Sequence, residues 1–211
     1  MKQYIMLVIP VPNRNEVEKY IKKWELEENY LINEQSLNKL FRKTYTKNNN
    51  IYDILIKTSC LNDIYSTNIF STTTMAKHIC DLNIDERLER ADETLVNDIA
   101  NITIKEKKKQ FYSFATKYCS YHKPLDFPIY DSYVEKVLMY FKRKDNFADF
   151  KKEDLKNYCK FKKVVIQFEK YYNIDEYNLR DIDKYIWLLG KKYFNKNISS
   201  KKLIKWVGWV V

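Results

Sequence analysis

Glycine is almost missing from this 211-residue chain: Gly190 and Gly208 are the only two, and proline occurs four times. A β-sandwich, a barrel or a doubly wound sheet needs both residues at many tight turns, so the expectation is an all-α (mainly α) fold. The same shortage rules out a P-loop, a dinucleotide fingerprint and a Gly-x-Ser-x-Gly elbow, and no cofactor is expected. Four cysteines, Cys60, Cys80, Cys119 and Cys159, are irregularly spaced with no signal peptide before them, which reads as reduced thiols in a cytoplasmic protein. A zinc site drawn from His78, Cys80, Cys119 and His122 would lack the paired Cys-x-x-Cys spacing of such centres, so no metal is expected either. No apolar run spans a bilayer: "YIMLVIPVP" at the start and "LIKWVGWVV" at the end are too short and read as extended segments packed on the body.

What is present is positive charge and aromatic surface. The net charge is +10, aromatic residues make up 16% of the chain, and eighteen of them are tyrosines. Excess positive charge attracts polyanions through counterion release and scattered rings stack on bases, so nucleic acid is the leading partner class. An AT-rich genome would enrich Lys, Asn, Ile and Tyr regardless of function. The expected protein is a monomer, cytoplasmic and associated with the nucleoid.

Hydrophobic residues reach 45%, enough for a real core in one domain or two small lobes. Residues 4 to 12 look extended up to Pro12. "NEVEKYIKKWELEENY" from Asn15 places Val17, Tyr20, Ile21 and Trp24 at helical spacing, and "SLNKLFRKTY" is a second helix. The polar "TKNNN" at 46–50 is the best boundary in the chain, dividing an N-terminal helical segment, 1–50, from a core, 51–211, within what is expected to be one compact unit. A buried helix then runs to about Tyr65, "STNIFST" interrupts it, and further helices follow at "TTMAKHICDL", "ETLVNDIANI", "KKKQFYSFATKYCSYH", "KKEDLKNYCKFKKVVIQFEKYY" and "LRDIDKYIWLLGKKYF".

In "FPIYDSYVEKVLMYF", residues 127–141, a proline fixes the entry and Ser132 with Glu135 fits the Ser-x-x-Glu capping box; Val134, Val137, Leu138 and Phe141 then repeat at helical spacing. With Ser132 as the cap, Asp131 is either a spare cap residue or a carboxylate aimed beyond the helix.

Three pieces in this order, "DILIKTSCLNDIYSTNIF", "FPIYDSYVEKVL" and "IDKYIWLLGKKYF", resemble DNA glycosylases of the helix-hairpin-helix superfamily, closest to 8-oxoguanine DNA glycosylase-like proteins, over roughly residues 51 to 194. The resemblance implies a multi-helix bundle of two lobes around a cleft that binds double-stranded DNA, flips a modified base and cleaves its N-glycosidic bond. Breaking that bond develops positive charge on the deoxyribose, which an ionised carboxylate stabilises; Asp131 matches the catalytic aspartate, and a helix N-terminus favours its charged form. Bifunctional members attack the sugar with a lysine before that aspartate, and Lys117 is the matching candidate, Lys123 a poorer one. Such a lysine must be neutral when it attacks and so needs burial or a cationic neighbour.

"YSTNIFSTTT" lies where related enzymes fill the gap left by a flipped base. Asn68 would hydrogen-bond a Watson-Crick edge, with Thr67 beside it, while Tyr65 or Phe70 stacks. The family's hairpin is glycine-rich, yet residues 100 to 130 hold no glycine, so that hairpin is absent or remodelled. Phosphate contacts are then expected from Lys107, Lys108, Lys109 and Lys123, in a stretch (104–163) with sixteen Lys and Arg against eight acidic residues, and His122 is a candidate pocket residue. Genome repair and defence against phage carrying altered bases would both suit this chemistry. A non-catalytic DNA-binding protein on the same scaffold, and a basic helical protein meeting RNA or a protein partner, are the alternatives.

Overall fold

A computed structural model describes residues 8–195; residues 4–7 of the extended segment expected at 4–12, and all of the one expected at 203–211, lie outside the described residues. The described residues form ten α-helices and one ribbon of two strands: α1 (Arg14–Glu25), α2 (Glu28–Lys39), α3 (Ile51–Tyr65), α4 (Thr72–Asp81), α5 (Asp85–Glu89), α6 (Thr94–Ala100), β1 (Asn101–Ile104), β2 (Lys107–Gln110), α7 (Tyr112–His122), α8 (Ser132–Asp145), α9 (Tyr158–Tyr171) and α10 (Leu179–Phe194). A π-type turn, Leu40–Thr44, extends α2, and a 3-10 turn, Lys152–Lys156, precedes α9. The fold is mainly α, as the scarcity of glycine implied. None of the described helices is long and apolar enough to cross a membrane.

Asparagine does much of the work that glycine does elsewhere. Asn13, Asn50, Asn157 and Asn178 cap α1, α3, α9 and α10, each side chain accepting a backbone N–H of the first turn. Asn68, Asn83, Asn146 and Asn173 take left-handed backbone conformations, which their short polar side chains tolerate better than most. The chain can therefore turn sharply with hardly any glycine.

α10 is the central strut, packed between α1 and α8, and one core joins the regions before and after residue 50. Tyr20 of α1 meets Tyr185 of α10 at 5.6 Å between ring centroids, and Phe41 meets Tyr118 of α7 at 5.1 Å. The 46–50 loop is no seam. Asn48 is buried, donates its backbone and side-chain N–H to Asp85, and accepts from Tyr118 Oη at 2.7 Å and from the fully buried Lys57 Nζ at 2.6 Å.

Three local expectations are corrected. Lys107–Lys109 do not lead into a helix: they form β2, paired antiparallel with β1, and α7 begins only at Tyr112. The stretch beginning "KKEDL" is broken by Asn157, which ends the 3-10 turn and caps α9. The cap of α8 is Asp131, not Ser132: its carboxylate accepts Tyr133 N–H at 2.6 Å, while Glu135 turns away to Tyr130 Oη and Lys152. The Ser132–Glu135 box does not form.

Gly190 is interior to α10, where it lets α8 approach at the turn that follows Asp131. A Cβ added there would lie 2.7 Å from Tyr133 Cβ and 2.8 Å from the Tyr133 carbonyl oxygen, against backbone that cannot swing aside. Gly190→Ala is expected to lower stability by about 1–3 kcal/mol through overpacking, despite alanine's higher helix propensity. Denaturant unfolding with an unchanged midpoint would contradict this contact.

Candidate active site

Residues 127–131 run into α8 without regular structure, yet Phe127, Ile129 and Tyr130 are buried. Buried irregular backbone is tolerated only if its polar groups find partners, and here three helices supply them. Asp183 of α10 accepts Ile129 N–H with both carboxylate oxygens, at 2.9 and 3.1 Å. Thr116 Oγ1 of α7 accepts Tyr130 N–H at 3.2 Å, and Tyr158 Oη of α9 donates to Pro128 O at 3.0 Å. Pro128 has no N–H to satisfy. The segment is thereby fixed, and with it the direction of Asp131.

Asp131 borders a cavity of about 140 Å³. Lys117 of α7, Ile129, Val134, and Arg180 and Asp183 of α10 line it beside Asp131; Tyr65 and Ile64 at the end of α3 form another side. Trp24, Tyr30 and Trp187, which meet in pairs with centroids 5.0 to 5.8 Å apart, give it an aromatic wall, with Asn33 and Lys184 beside them. Trp187 is therefore a cavity residue. An engineered apolar cavity of about 150 Å³ holds benzene, so this hollow suits one planar ring system.

The wall is held by a buried ion cluster. Glu34 of α2 accepts from Trp24 Nε1 at 2.8 Å and from Arg180 at 2.9 Å, with Lys184 Nζ at 3.3 Å. Burial pushes the Glu34 carboxyl up, but Arg180 and Lys184 outweigh it and hold it below its usual range. Arg180 also donates to Tyr121 Oη at 3.3 Å, and Tyr121 shares a hydroxyl–hydroxyl bond of 2.5 Å with Tyr65. One chain of polar contacts thus runs from Trp24 to Tyr65.

Lys117 is 4% exposed. Its Nζ bonds Ser113 Oγ at 2.5 Å, reaches Ser113 O only at 3.4 Å, and lies 5.2 Å from the Tyr65 ring centroid. Burial brings its pKa down to about 8, aided by Arg180 and opposed by Asp131 and Asp183. Burial likewise pushes Asp183 up to about 8, opposed by Arg180 and by the Ile129 N–H bond. Lys57 is as deeply buried and also brought down to about 8, but its ammonium is bonded to Tyr45 O, Lys47 O and Asn48 Oδ1 at 2.6 to 3.0 Å. Lys57 is a saturated structural cation; Lys117 keeps spare bonding capacity at a cavity wall.

The loop after α3 is stapled by Asn62. Its Oδ1 accepts from Ile69 N–H at 2.9 Å and Thr67 Oγ1 at 2.8 Å, and its Nδ2 donates to Ile69 O at 3.2 Å. Ile69 is buried as the anchor, so the neighbours on either side point out: Asn68 is exposed with φ of 60°, and Phe70 is 98% exposed. Tyr65 is not part of that projecting tip. Its ring faces the cavity.

The other candidates lie apart from Asp131. Lys107, Lys108 and Lys109 are exposed on β2. Lys123 and His122 line a second hollow with Phe41, Arg42 and Asp85, where the His122 ring sits 5.0 Å from Phe41 and 3.4 Å from Lys57 Nζ. Burial and Lys57 hold that imidazole well below its ordinary pKa. Asp183, Arg180, Glu34 and Tyr121 went unnoticed in the sequence, because each acts through a partner dozens of residues away. Among the described residues no group of three or more His, Cys, Asp or Glu is placed to hold a metal ion.

Residues 16–126 match the profile of the HI_0787_N family, described as an N-terminal domain, and the chain belongs to that family. An uncharacterized protein of Haemophilus influenzae is 53% identical over 137 residues, covering 64% of this chain and 65% of its own length. The chain thus spans just under two thirds of that relative. No solved structure matches. The family match takes in Trp24, Tyr65 and Lys117 and stops before the clamped segment that carries Asp131.

The buried ammonium has a pH signature. Between about 8 and 10.5 the folded state binds fewer protons at Lys117 than the unfolded state, so stability rises with pH across that window. Below it both states are protonated and the full cost, on the order of 3 kcal/mol, is carried. Lys117→Met is expected to be more stable than wild type at pH 7 and to lose most of that advantage by pH 10.5. Equal gains at both pH values in denaturant titrations would count against a desolvated lysine.

Proposed function

We propose that this protein is a DNA N-glycosylase with associated lyase chemistry, which draws a modified base out of duplex DNA into the aromatic-walled cavity. One observation carries the reading: Lys117 and Asp131, the two residues matched to the glycosylase nucleophile and carboxylate, line the same hollow, and Lys117 is buried with its pKa down to about 8. Stacking a base on an aromatic side chain contributes about 1–3 kcal/mol, and Trp24, Tyr30 and Trp187 offer that surface. The net charge of +10 and the projecting Asn68 and Phe70 support a duplex partner into which a side chain is wedged as the base leaves the stack.

In this scheme Asp131 faces the deoxyribose and stabilises positive charge as the C1′–N bond breaks, the base leaving with the bonding electron pair. At pH 7 about a tenth of Lys117 is neutral. Its nitrogen bonds C1′ and gives up a proton, which O4′ takes as the C1′–O4′ bond breaks, so the sugar ring opens to a protonated Schiff base. A protein that keeps this scaffold for binding alone would retain the basic surface but gain nothing from an under-bonded lysine beside a carboxylate.

Duplexes carrying a panel of modified and damaged bases, assayed for alkali-labile sites and borohydride-trapped adducts, test the reading. Asp131→Asn is expected to slow base release at least about 100-fold with duplex binding retained, in line with loss of one transition-state electrostatic contact. Lys117→Gln is expected to abolish the trapped adduct. Trapping by the wild type should rise with pH and level off above about 8, as the amine becomes neutral. Duplex binding without release of any base would leave only the binding function.

A further inference from the structure

We infer that the β1–β2 ribbon is a DNA-docking arm that lays its outer face in the major groove, an inference that rests on duplex DNA as the partner proposed above. The register pairs Asn101 with Gln110, Ile102 with Lys109, Thr103 with Lys108 and Ile104 with Lys107. Side chains alternate between the faces of a strand, and buried Ile102 fixes which face meets the body, where β1 packs on α4 and α6. Asn101, Thr103, Lys108 and Gln110 therefore share the other face, and all four are exposed.

These are the side-chain types that hydrogen-bond base edges and phosphates, and no apolar residue interrupts them. A two-stranded ribbon fits the major groove, about 12 Å wide, and not the minor groove of about 6 Å. Charge agrees. Lys105, Lys107, Lys108 and Lys109 crowd one short ribbon with Glu106 as its only acid, and none of these lysines forms an ion pair among the described residues. Four unpaired ammonium groups would repel one another, and a polyanion relieves that repulsion.

The arm is also rigidly joined to the chemistry. Phe111 N–H bonds Ala100 O at 2.8 Å, closing the base of the ribbon, and α7 begins at the next residue, Tyr112, five positions before Lys117. The turn at the tip, Lys105 and Glu106, has φ of 47° and 61°, the two left-handed residues of a tight hairpin turn built without glycine. A phosphate-binding loop of close-approaching glycine amides is thus replaced by a ribbon that reaches out with side chains.

The test is equilibrium binding of the full chain to unmodified duplex DNA by fluorescence anisotropy across a salt series, with thermal unfolding to confirm folded variants. Lys107→Gln/Lys108→Gln/Lys109→Gln is expected to weaken binding at least about tenfold and to lower the log–log salt slope by about 3, near one unit for each lost phosphate contact. Asn101→Ala/Gln110→Ala should weaken binding severalfold with the slope unchanged. Bulky substituents on cytosine C5, which fill the major groove, should hinder the wild type but not the triple variant, and a minor-groove ligand should hinder neither. Wild-type affinity and slope in the triple variant, indifference to the C5 substituents, or tighter binding to duplex RNA than to duplex DNA would overturn the arm. Unchanged affinity in variants of a protein that still releases bases overturns the arm alone; ribbon-dependent binding in a protein that releases none supports the arm and removes the glycosylase reading.

Discussion

The geometry of this protein depends on the way five residues of irregular chain are held inside it. Residues 127–131 cannot satisfy their own backbone, and each buried polar group left without a partner would cost about 1–3 kcal/mol. Asp183, Thr116 and Tyr158 meet that demand from three different helices. The bonds that fix the segment also fix α7, α9 and α10 around it. Asp131 is the last residue of that segment and the first anchor of α8, so its carboxylate inherits the rigidity of all four helices.

Buried charge is distributed with a clear division of labour. The Glu34 cluster and the Lys57 cluster are saturated: every strong donor or acceptor at their centres has a close partner, and they tie α2 to α10 and the 45–48 loop to α3. Asp183 is half committed, because Ile129 N–H occupies it without a full counter-charge. Lys117 is the least committed, with one hydroxyl and an aromatic face in place of a set of oxygens. Satisfaction of hydrogen-bonding capacity, more than depth of burial, separates the cations that hold the fold from Lys117, which keeps bonding capacity to spare.

Much of the helical scaffold was legible in the chain because periodicity and caps agree locally. α3 ends at Tyr65 where the polar run begins, and α10 spans the expected stretch with Gly190 inside it. Asp131 was singled out within one of the three ordered fragments and Lys117 in the stretch before it, both through the resemblance, and the structure sets the two at one cavity. What was not legible is long-range, off by one residue, or hidden by unusual turn chemistry. The capping role fell to Asp131 instead of its neighbour Ser132, and both satisfy the same local rule. The ribbon was hidden because its turn uses Lys105 and Glu106 where a hairpin usually announces itself with asparagine and glycine. The Asp183 clamp joins residues 54 apart, and nothing in either local stretch signals the other.

If duplex DNA is the partner, as proposed above, the Asn62 staple bears on the timing of its recognition. A side chain that must probe a duplex from a wandering loop spends most encounters in the wrong shape, and each productive contact first has to freeze several backbone torsions at roughly 1–2 kcal/mol per residue. With Ile69 anchored and both of its hydrogen-bonding groups taken by one asparagine, that ordering is complete before any encounter. On the proposed reading the backbone that carries the exposed Phe70 ring is set in advance, and the barrier to insertion would belong to the double helix, highest where its bases stack well and lowest where a lesion has already loosened them.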